Sequence, residues 1–200
     1  MSVSSNKIGV FPLPMCLLPQ GITRLRIFEP RYKRLVSEAA QGKGFALSSF
    51  DETMPFQSTT NATLVKIVDF SQLPDGLLAI DIQAQNVILL SDFEEENDGL
   101  KRANLAFQEH WSSTPTLISS SSILNAPQFK IITDTLHDAI SHDAGLTTFY
   151  PTPDYQDLTW VCARFIELLP LSYKKKQSLI YEQSFEQVQE FLHTVITGEH

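Results

Sequence analysis

The sequence lacks the features that would place a protein in a membrane or outside the cell. No apolar run approaches the roughly 20 residues that a membrane-spanning helix needs. The first ten residues, MSVSSNKIGV, have no apolar core of the kind found in secretory signals, so we expect a cytoplasmic protein. The two cysteines, Cys16 and Cys162, lie far apart in the sequence, which excludes a disulfide framework and fits a reducing compartment.

The sequence also lacks the motifs of several enzyme classes. Binding of ATP by a phosphate loop requires the spacing GxxxxGK[ST], which Gly42-Lys43-Gly44 does not provide. His137 and His142 are five positions apart, about 140° around a helix, so they cannot easily share one metal ion. Cys16 has no histidine nearby in the sequence that could activate it as a nucleophile. We therefore expect neither a cofactor nor a metal site.

Acidic side chains outnumber basic ones, and the charge is unevenly distributed. The net charge is −8, from 23 acidic and 15 basic side chains, which disfavours binding to nucleic acid. Residues 1–36 nevertheless carry six basic side chains and one acidic side chain, Glu29. We interpret this region as a solvated surface, with RNA binding as the alternative. The candidates for a basic surface are Arg24, Arg26, Arg31 and Arg34.

Residues 8–42 combine two strands, a proline-rich loop and the start of a helix. The prolines of Phe11-Pro12-Leu13-Pro14 cannot donate to a sheet ladder, so the first strand must end there or become an edge. In the second strand Leu25 and Ile27 alternate with arginines, which predicts that the apolar pair faces the core. Pro30 suits the first turn of a helix, and Gly42 occupies the position of a left-handed C-terminal cap.

The following segment predicts further strands and turns. Leu73-Pro74-Asp75-Gly76 is typical of a turn, because proline presets φ and glycine accepts positive φ. The polar stretch 51–61 is predicted to be a loop. The predicted strands are 44–50, 62–70, 78–83, 86–93 and 100–108. Six or seven short strands within about the first 108 residues indicate a compact β barrel or two paired sheets.

The second half of the sequence changes to a helical period. The serine-rich stretch 112–122 is too polar to be buried and is predicted to be a linker or loop. The domain boundaries predicted from this change are 1–111 for the β-rich part, 112–122 for the linker and 123–200 for the helical part. The predicted helices begin at Leu124, after Asp157, near residue 172 and after Ser184, and the first of them is predicted to end near Gly145. A proline-broken aromatic loop spans 149–156.

Motifs at both ends of the chain resemble those of the Lon substrate-binding domain, the N-terminal domain of ATP-dependent Lon proteases. That family opens with a proline-rich FPLP-type segment followed by IFEPRY, found here at residues 11–14 and 27–32. Its helical part closes with LPL and KQ, found here at 169–171 and 176–177. The resemblance implies an α+β fold, in which a β-rich, PUA-like pseudo-barrel is followed by a C-terminal helical subdomain. It fills the chain, so we expect no ATPase or Ser–Lys protease module.

The resemblance also implies a function. It indicates a stand-alone, non-catalytic module that binds peptides or proteins, with a link to protein quality control. The expected partner is an unfolded or degron-bearing polypeptide, with a protease or chaperone as a further partner and no membrane. A weak homodimer is compatible with the sequence. An RNA-binding PUA-like module and an uncharacterised hydrolase are the alternatives.

Four large apolar residues in predicted loops are candidates for peptide binding. Methionine and aromatic side chains adapt in shape and supply contact area on a rigid scaffold. In the competing interpretation, they fold back as lids on the core. The candidates are Met54, Phe56, Tyr150 and Tyr155.

Overall fold

The computed structural model describes residues 7–116 and 127–198, and the chain divides into two compact units, Met1–Glu109 and His110–His200. The first unit is a six-stranded sheet with one helix, and the second is helical, which confirms the predicted α+β class. Within the described ranges, no helix is both long enough and apolar enough to span a bilayer.

The elements of each unit follow in chain order. The first unit contains β1 (Ile8–Leu13), β2 (Ile22–Ile27), α1 (Pro30–Glu38), β3 (Phe45–Phe50), β4 (Ser58–Gln72), β5 (Leu78–Glu95) and β6 (Lys101–Phe107). The second unit contains α2 (Pro127–Ser141), α3 (Ala144–Phe149), α4 (Leu158–Leu168), α5 (Tyr173–Tyr181) and α6 (Phe185–Thr197).

The strands form a ring with one strand attached to its outside. The sheet order is β2-β5-β4-β3-β1-β6, and β6 also pairs with β5, so that five strands close on themselves. The first half of β5 pairs with β2 and its second half with β6. β1 and β3 are parallel, and the other pairs are antiparallel. This arrangement is the predicted pseudo-barrel.

The strand β5 differs from the sequence prediction. We predicted two strands, 78–83 and 86–93, whereas Leu78–Glu95 is one continuous strand. Its pairing with β4 shifts register between Leu64 and Val65 and again between Ile67 and Asp69. Such bulges bend a strand without ending it, so the two halves of β5 can pair with different strands.

The second strand and the first helix follow the predicted pattern. Leu25 and Ile27 of β2 are buried, whereas the alternating arginines point away from the core. In α1, Tyr32, Leu35 and Val36 form the buried stripe. A π turn follows the helix, and there Gly42 has a φ of +99°, a conformation that glycine adopts without steric cost.

Pro12 explains where the ring opens. β1 pairs with β6 at Ile8–Val10 and with β3 at Val10–Leu13, so from Phe11 to Leu13 it pairs with β3 alone. Pro12 therefore lies in a segment of β1 that has a described strand on one side only, the edge position that its missing N–H requires. The ring is therefore closed through Ile8–Val10 and opens beside Phe11–Leu13.

The predicted loop 51–61 is shorter in the structure. β4 begins at Ser58, which pairs with Phe50, and the hydroxyl of Ser58 donates to the Ser48 hydroxyl at 2.8 Å. Because these hydroxyls satisfy each other, a polar stretch can lie buried in the ladder, and side-chain polarity alone misidentified it as a loop.

Capping side chains begin the helices of the second unit as predicted, with one addition. Asp157 accepts a hydrogen bond from the Thr159 N–H, and Ser184 forms a capping box with Gln187. The short helix α3 was not predicted. Its N-cap is Asp143, and Gly145, which was expected to end the preceding helix, lies inside it.

The predicted linker 112–122 overlaps the described residues only at 112–116. Ser112 is buried and hydrogen-bonds His110, so the serine-rich pattern was wrong at this position. Trp111 stacks on Phe185, with ring centroids 5.3 Å apart, and therefore belongs to the helical unit. Residues 117–122 of the linker, and the predicted helix start at Leu124, lie outside the described residues.

Candidate functional site

A groove of about 410 Å³ lies at the opening of the pseudo-barrel, between the second half of β1 and β2. Both N-terminal motifs line it: Phe11 and Leu13 come from FPLP, and Phe28 and Tyr32 from IFEPRY. The strand β2 contributes Leu25, whose side chain is buried. The motifs therefore converge on one concavity, although a loop and a strand separate them in sequence.

One wall of the groove is a rigid aromatic surface. The rings of Phe11 and Tyr32 are stacked, with centroids 3.8 Å apart and planes 16° from parallel. Behind them lies the fully buried Phe45, whose ring centroid is 6.1 Å from that of Phe11. Phe28 differs, because it lines the groove while remaining 63% exposed. An anchored wall beside an exposed ring offers apolar contact area with little rotational freedom to lose.

Two cationic side chains complete the groove. Lys101, the first residue of β6, is only 6% exposed, and no described residue forms a hydrogen bond or ion pair with its ammonium. Burial lowers the pKa of Lys101, the charge of Glu95 on the neighbouring strand opposes this, and the charge of Arg31 adds to it. Arg31 pairs with Glu29 at 2.7 Å, but its buried Nε has no hydrogen-bond partner among the described residues.

The comparison with known proteins decides the family. The family model of the ATP-dependent protease La (Lon) substrate-binding domain matches residues 7–194. The chain belongs to this family. The prediction from the FPLP and IFEPRY motifs is therefore confirmed, and the matched domain is the non-catalytic, substrate-binding part of the protease.

Two solved structures share the fold of this Lon-type domain. The first is a Lon N-terminal domain protein from Xanthomonas campestris, with 24% identity and a TM-score of 0.68 over 94% of this chain and 96% of that chain. The second is the N-terminal domain of a Mycobacterium avium complex Lon protease, with 10% identity and a TM-score of 0.67 over 98% of this chain and 100% of that chain. No curated protein sequence matches the chain.

The predicted basic surface of the Lon-type domain is divided between two places. Arg24, Arg26 and Arg31 line the groove, whereas Arg34 does not. Arg34 pairs with Asp98 at 2.7 Å and also with Glu96. Its hydrogen bond holds the pKa of the Asp98 carboxyl below its ordinary value.

Carboxylates from distant parts of the chain neutralise most of this basic charge. Arg24 binds both oxygens of Asp81, at 2.6 and 2.8 Å, and Arg26 pairs with Asp75. A cluster that is basic in sequence is thus largely paired in space, which leaves little free charge for a phosphate backbone. The RNA-binding alternative has no support from the structure.

The candidates Met54 and Phe56 are exposed but lie outside the groove. They belong to the turn before β4, where Phe56 has a φ of +61° and stacks on Phe93 with ring centroids 5.5 Å apart. Phe50 and Gln57, at the two ends of the same turn, do line the groove. The turn therefore contributes to the groove through residues that the sequence did not single out.

The candidates Tyr150 and Tyr155 pack back on the helical unit. Tyr150 is only 8% exposed and meets Trp160 edge-on, with ring centroids 5.5 Å apart. Tyr155 is half-buried against Trp160 and His137. The expectation that Tyr150 belongs to a binding surface was therefore wrong, because its ring is already buried against Trp160 of α4.

The hydrolase alternative finds no catalytic constellation among the described residues. Cys162 is fully buried, and burial raises the pKa of its thiol, so it is not a nucleophile at neutral pH. His110 uses both ring nitrogens: Nδ1 accepts from the Ser112 N–H, and Nε2 donates to the Ile180 carbonyl at 2.6 Å. No group of three metal-ligating side chains occurs in residues 7–116 and 127–198.

Lys101 and the aromatic wall are the features that sequence reasoning missed. Lys101 lies 70 positions after Arg31, in a strand whose sequence, KRANLAF, carries no recognisable motif. Only the closure of the ring through β6 brings the two cations to the same groove. Phe11 and Phe28 belong to the recognised motifs, so the motifs themselves were the available signal.

Proposed function

We propose that this Lon-type domain binds segments of unfolded polypeptide in the groove between β1 and β2, without acting on them chemically. The observation that carries the proposal is Phe28, a large aromatic residue that lines the groove and is 63% exposed. Exposure of such a ring brings no stability to the core, whereas a bound apolar side chain would cover it.

The size and lining of the groove favour an extended segment over a folded partner. Small binding sites of about 300–1,000 Å³ hold a few side chains, and this groove, at about 410 Å³, lies in the lower part of that range. Its lining combines an aromatic wall with a few polar groups, the composition that accepts varied apolar side chains. Unfolded chains expose such side chains, whereas folded domains bury them.

Fluorescence anisotropy with a labelled, permanently unfolded polypeptide tests this proposal. Phe28→Ser should weaken binding by about ten- to a hundredfold, because covering a phenylalanine ring contributes about 1.5–3 kcal/mol. The matched control is Phe107→Ser in β6, since Phe107 is 68% exposed and does not line the groove. Equal affinity of the two variants, or no binding by the wild type, would contradict the proposal.

We propose further that binding serves protein quality control in the cytoplasm, with a protease or chaperone receiving the bound polypeptide. The support is membership of the Lon substrate-binding domain family. Affinity purification from cells with and without the endogenous Lon protease tests this role. Polypeptides captured by the wild type, and not by Phe28→Ser, should accumulate when the protease is absent. If their abundance is independent of the protease, the role is wrong.

A further inference from the structure

Lys101 is a cation at the groove that forms no ion pair with a described carboxylate, although Glu95 lies opposite it across the β5–β6 ladder. Only 6% of the residue is exposed, but its ammonium is not among the fully buried polar atoms without a partner. The stem of the side chain is therefore packed into the protein, while the ammonium can be reached from the groove. Among the described residues, Glu95 influences the charge of Lys101 but forms no ion pair with it, so the ammonium can accept a further carboxylate.

Arg31 adds a second unsatisfied donor to the same groove. One of its terminal nitrogens pairs with Glu29, and another donates to the Gly99 carbonyl at 3.1 Å. The third nitrogen, Nε, is buried and has no hydrogen-bond partner among the described residues. The guanidinium lies over the Tyr32 ring, 4.8 Å from its centroid, which holds it against the aromatic wall.

We infer that the groove selects extended polypeptide segments by an acidic side chain, Asp or Glu, which pairs with Lys101 and Arg31. The inference rests on the proposed function and names the chemistry of its substrate. Glu29, the one acidic residue that lines the groove, is already paired with Arg31. Lys101 is thus the cation of the groove that forms no ion pair with a described residue, and an incoming carboxylate can form a charge-assisted hydrogen bond with it.

The aromatic wall specifies what flanks the acidic residue. In an extended segment, side chains two positions apart lie on the same face and are separated by about 6.6 Å. When a carboxylate reaches Lys101, the residues two positions before and after it can cover Phe28 and the stacked Phe11–Tyr32 pair. The preferred pattern is thus apolar-x-acidic-x-apolar.

The occupant is a partner polypeptide and an internal segment of it. The parts of this chain outside the described residues contain one acidic side chain, Glu199, so the chain offers little of the required charge itself. An unfolded protein carries many aspartates and glutamates but a single C-terminal carboxylate. Internal acidic side chains are therefore the carboxylates that the groove meets most often.

Three labelled peptides test the inference on the wild-type protein. The first has a glutamate flanked by leucines at both second neighbours, with blocked ends. The second replaces glutamate by glutamine, and the third is the glutamine peptide with a free C-terminal carboxylate. The glutamate peptide should bind about tenfold tighter than the glutamine peptide, as expected for a hydrogen-bonded charge pair.

The variant Lys101→Met should remove the preference for glutamate and leave the glutamine peptide bound as before. Lys66→Met is the matched control, because Lys66 is exposed on β4 and does not line the groove. The comparison of peptides on the wild type needs no variant, so it holds even if Lys101→Met unfolds. Equal binding of the first two peptides would overturn the selectivity for an acidic side chain and leave the proposed function standing. Tighter binding of the third peptide alone would show that the groove binds a C-terminal carboxylate and not an internal acidic side chain. Binding of none contradicts both.

Discussion

The stacked rings of Phe11 and Tyr32, with centroids 3.8 Å apart, join the two N-terminal motifs of the chain. Phe11 belongs to β1 and Tyr32 to α1, so the contact ties a strand of the ring to the helix beside the opening. The same pair forms the wall of the groove. Folding and binding therefore use the same side chains in this part of the molecule.

Truncation of this wall should be costly. We expect Phe11→Ala to lower the free energy of unfolding by about 3–5 kcal/mol, because it removes a buried aromatic ring and leaves a cavity. Tyr32→Phe keeps the stack and removes only the hydroxyl, so it serves as the control with a small effect. Urea denaturation followed by circular dichroism measures both. The smallest large-to-small changes in a core cost about 1 kcal/mol. A smaller loss for Phe11→Ala would show that the stack is not part of the core.

The two faces of β2 should differ in their sensitivity to alanine. Leu25→Ala and Ile27→Ala should each cost about 2–5 kcal/mol as large-to-small changes in the core. Arg26→Ala should have little effect, because Arg26 and its partner Asp75 are both largely exposed. Arg24→Ala should cost more than Arg26→Ala, since it leaves the mostly buried carboxylate of Asp81 without its two hydrogen bonds. Denaturant midpoints that rank the two arginine variants in the opposite order would contradict this assignment.

The turn before β4 should tolerate substitution. Met54→Ser should be nearly neutral, and Phe56→Ser should cost about 0.5–1.5 kcal/mol through the lost stack on Phe93. Neither change should weaken peptide binding, because neither residue lines the groove. Thermal melts and anisotropy on the double variant check both statements. A tenfold loss of affinity with an unchanged melting temperature would show that this turn is part of the binding site.

Stability should fall when the solution becomes mildly acidic, through His110. Burial lowers the pKa of His110 below its ordinary 6.5, and the hydrogen bond to the Ile180 carbonyl opposes this only in part. The unfolded state then binds a proton at a higher pH than the folded state does. Stability is therefore lost as pH falls through the unfolded value of 6.5 towards the lower folded value.

The measurement is the free energy of unfolding between pH 7.5 and about 5.5, a window that contains the ordinary histidine pKa. His110→Gln should flatten the curve in this window, whereas His137→Gln, which replaces an exposed histidine, should keep it. A wild-type curve without slope, or one that His137→Gln flattens equally, would show that another group is responsible.

Local patterns in the sequence determined much of the fold. The alternation of β2, the apolar stripe of α1 and the caps at Asp157 and Ser184 depend on neighbours within a few residues. The motifs FPLP and IFEPRY identified the family, which the match over residues 7–194 confirms. Periodicity and capping are short-range effects, so the order of residues is sufficient to reveal them.

The tertiary structure decided the extent of β5, the burial of Tyr150 and the charged residues of the groove. Whether β5 is one strand or two depends on bulges that form against β4, and the pairing of Arg24 with Asp81 joins residues 57 positions apart. Tyr150 is buried because Trp160 lies against it, although its own segment is broken by prolines. Lys101 reaches the groove only because β6 closes the ring between β5 and β1. Each of these outcomes depends on a contact between different secondary-structure elements, and a linear pattern does not show which elements meet.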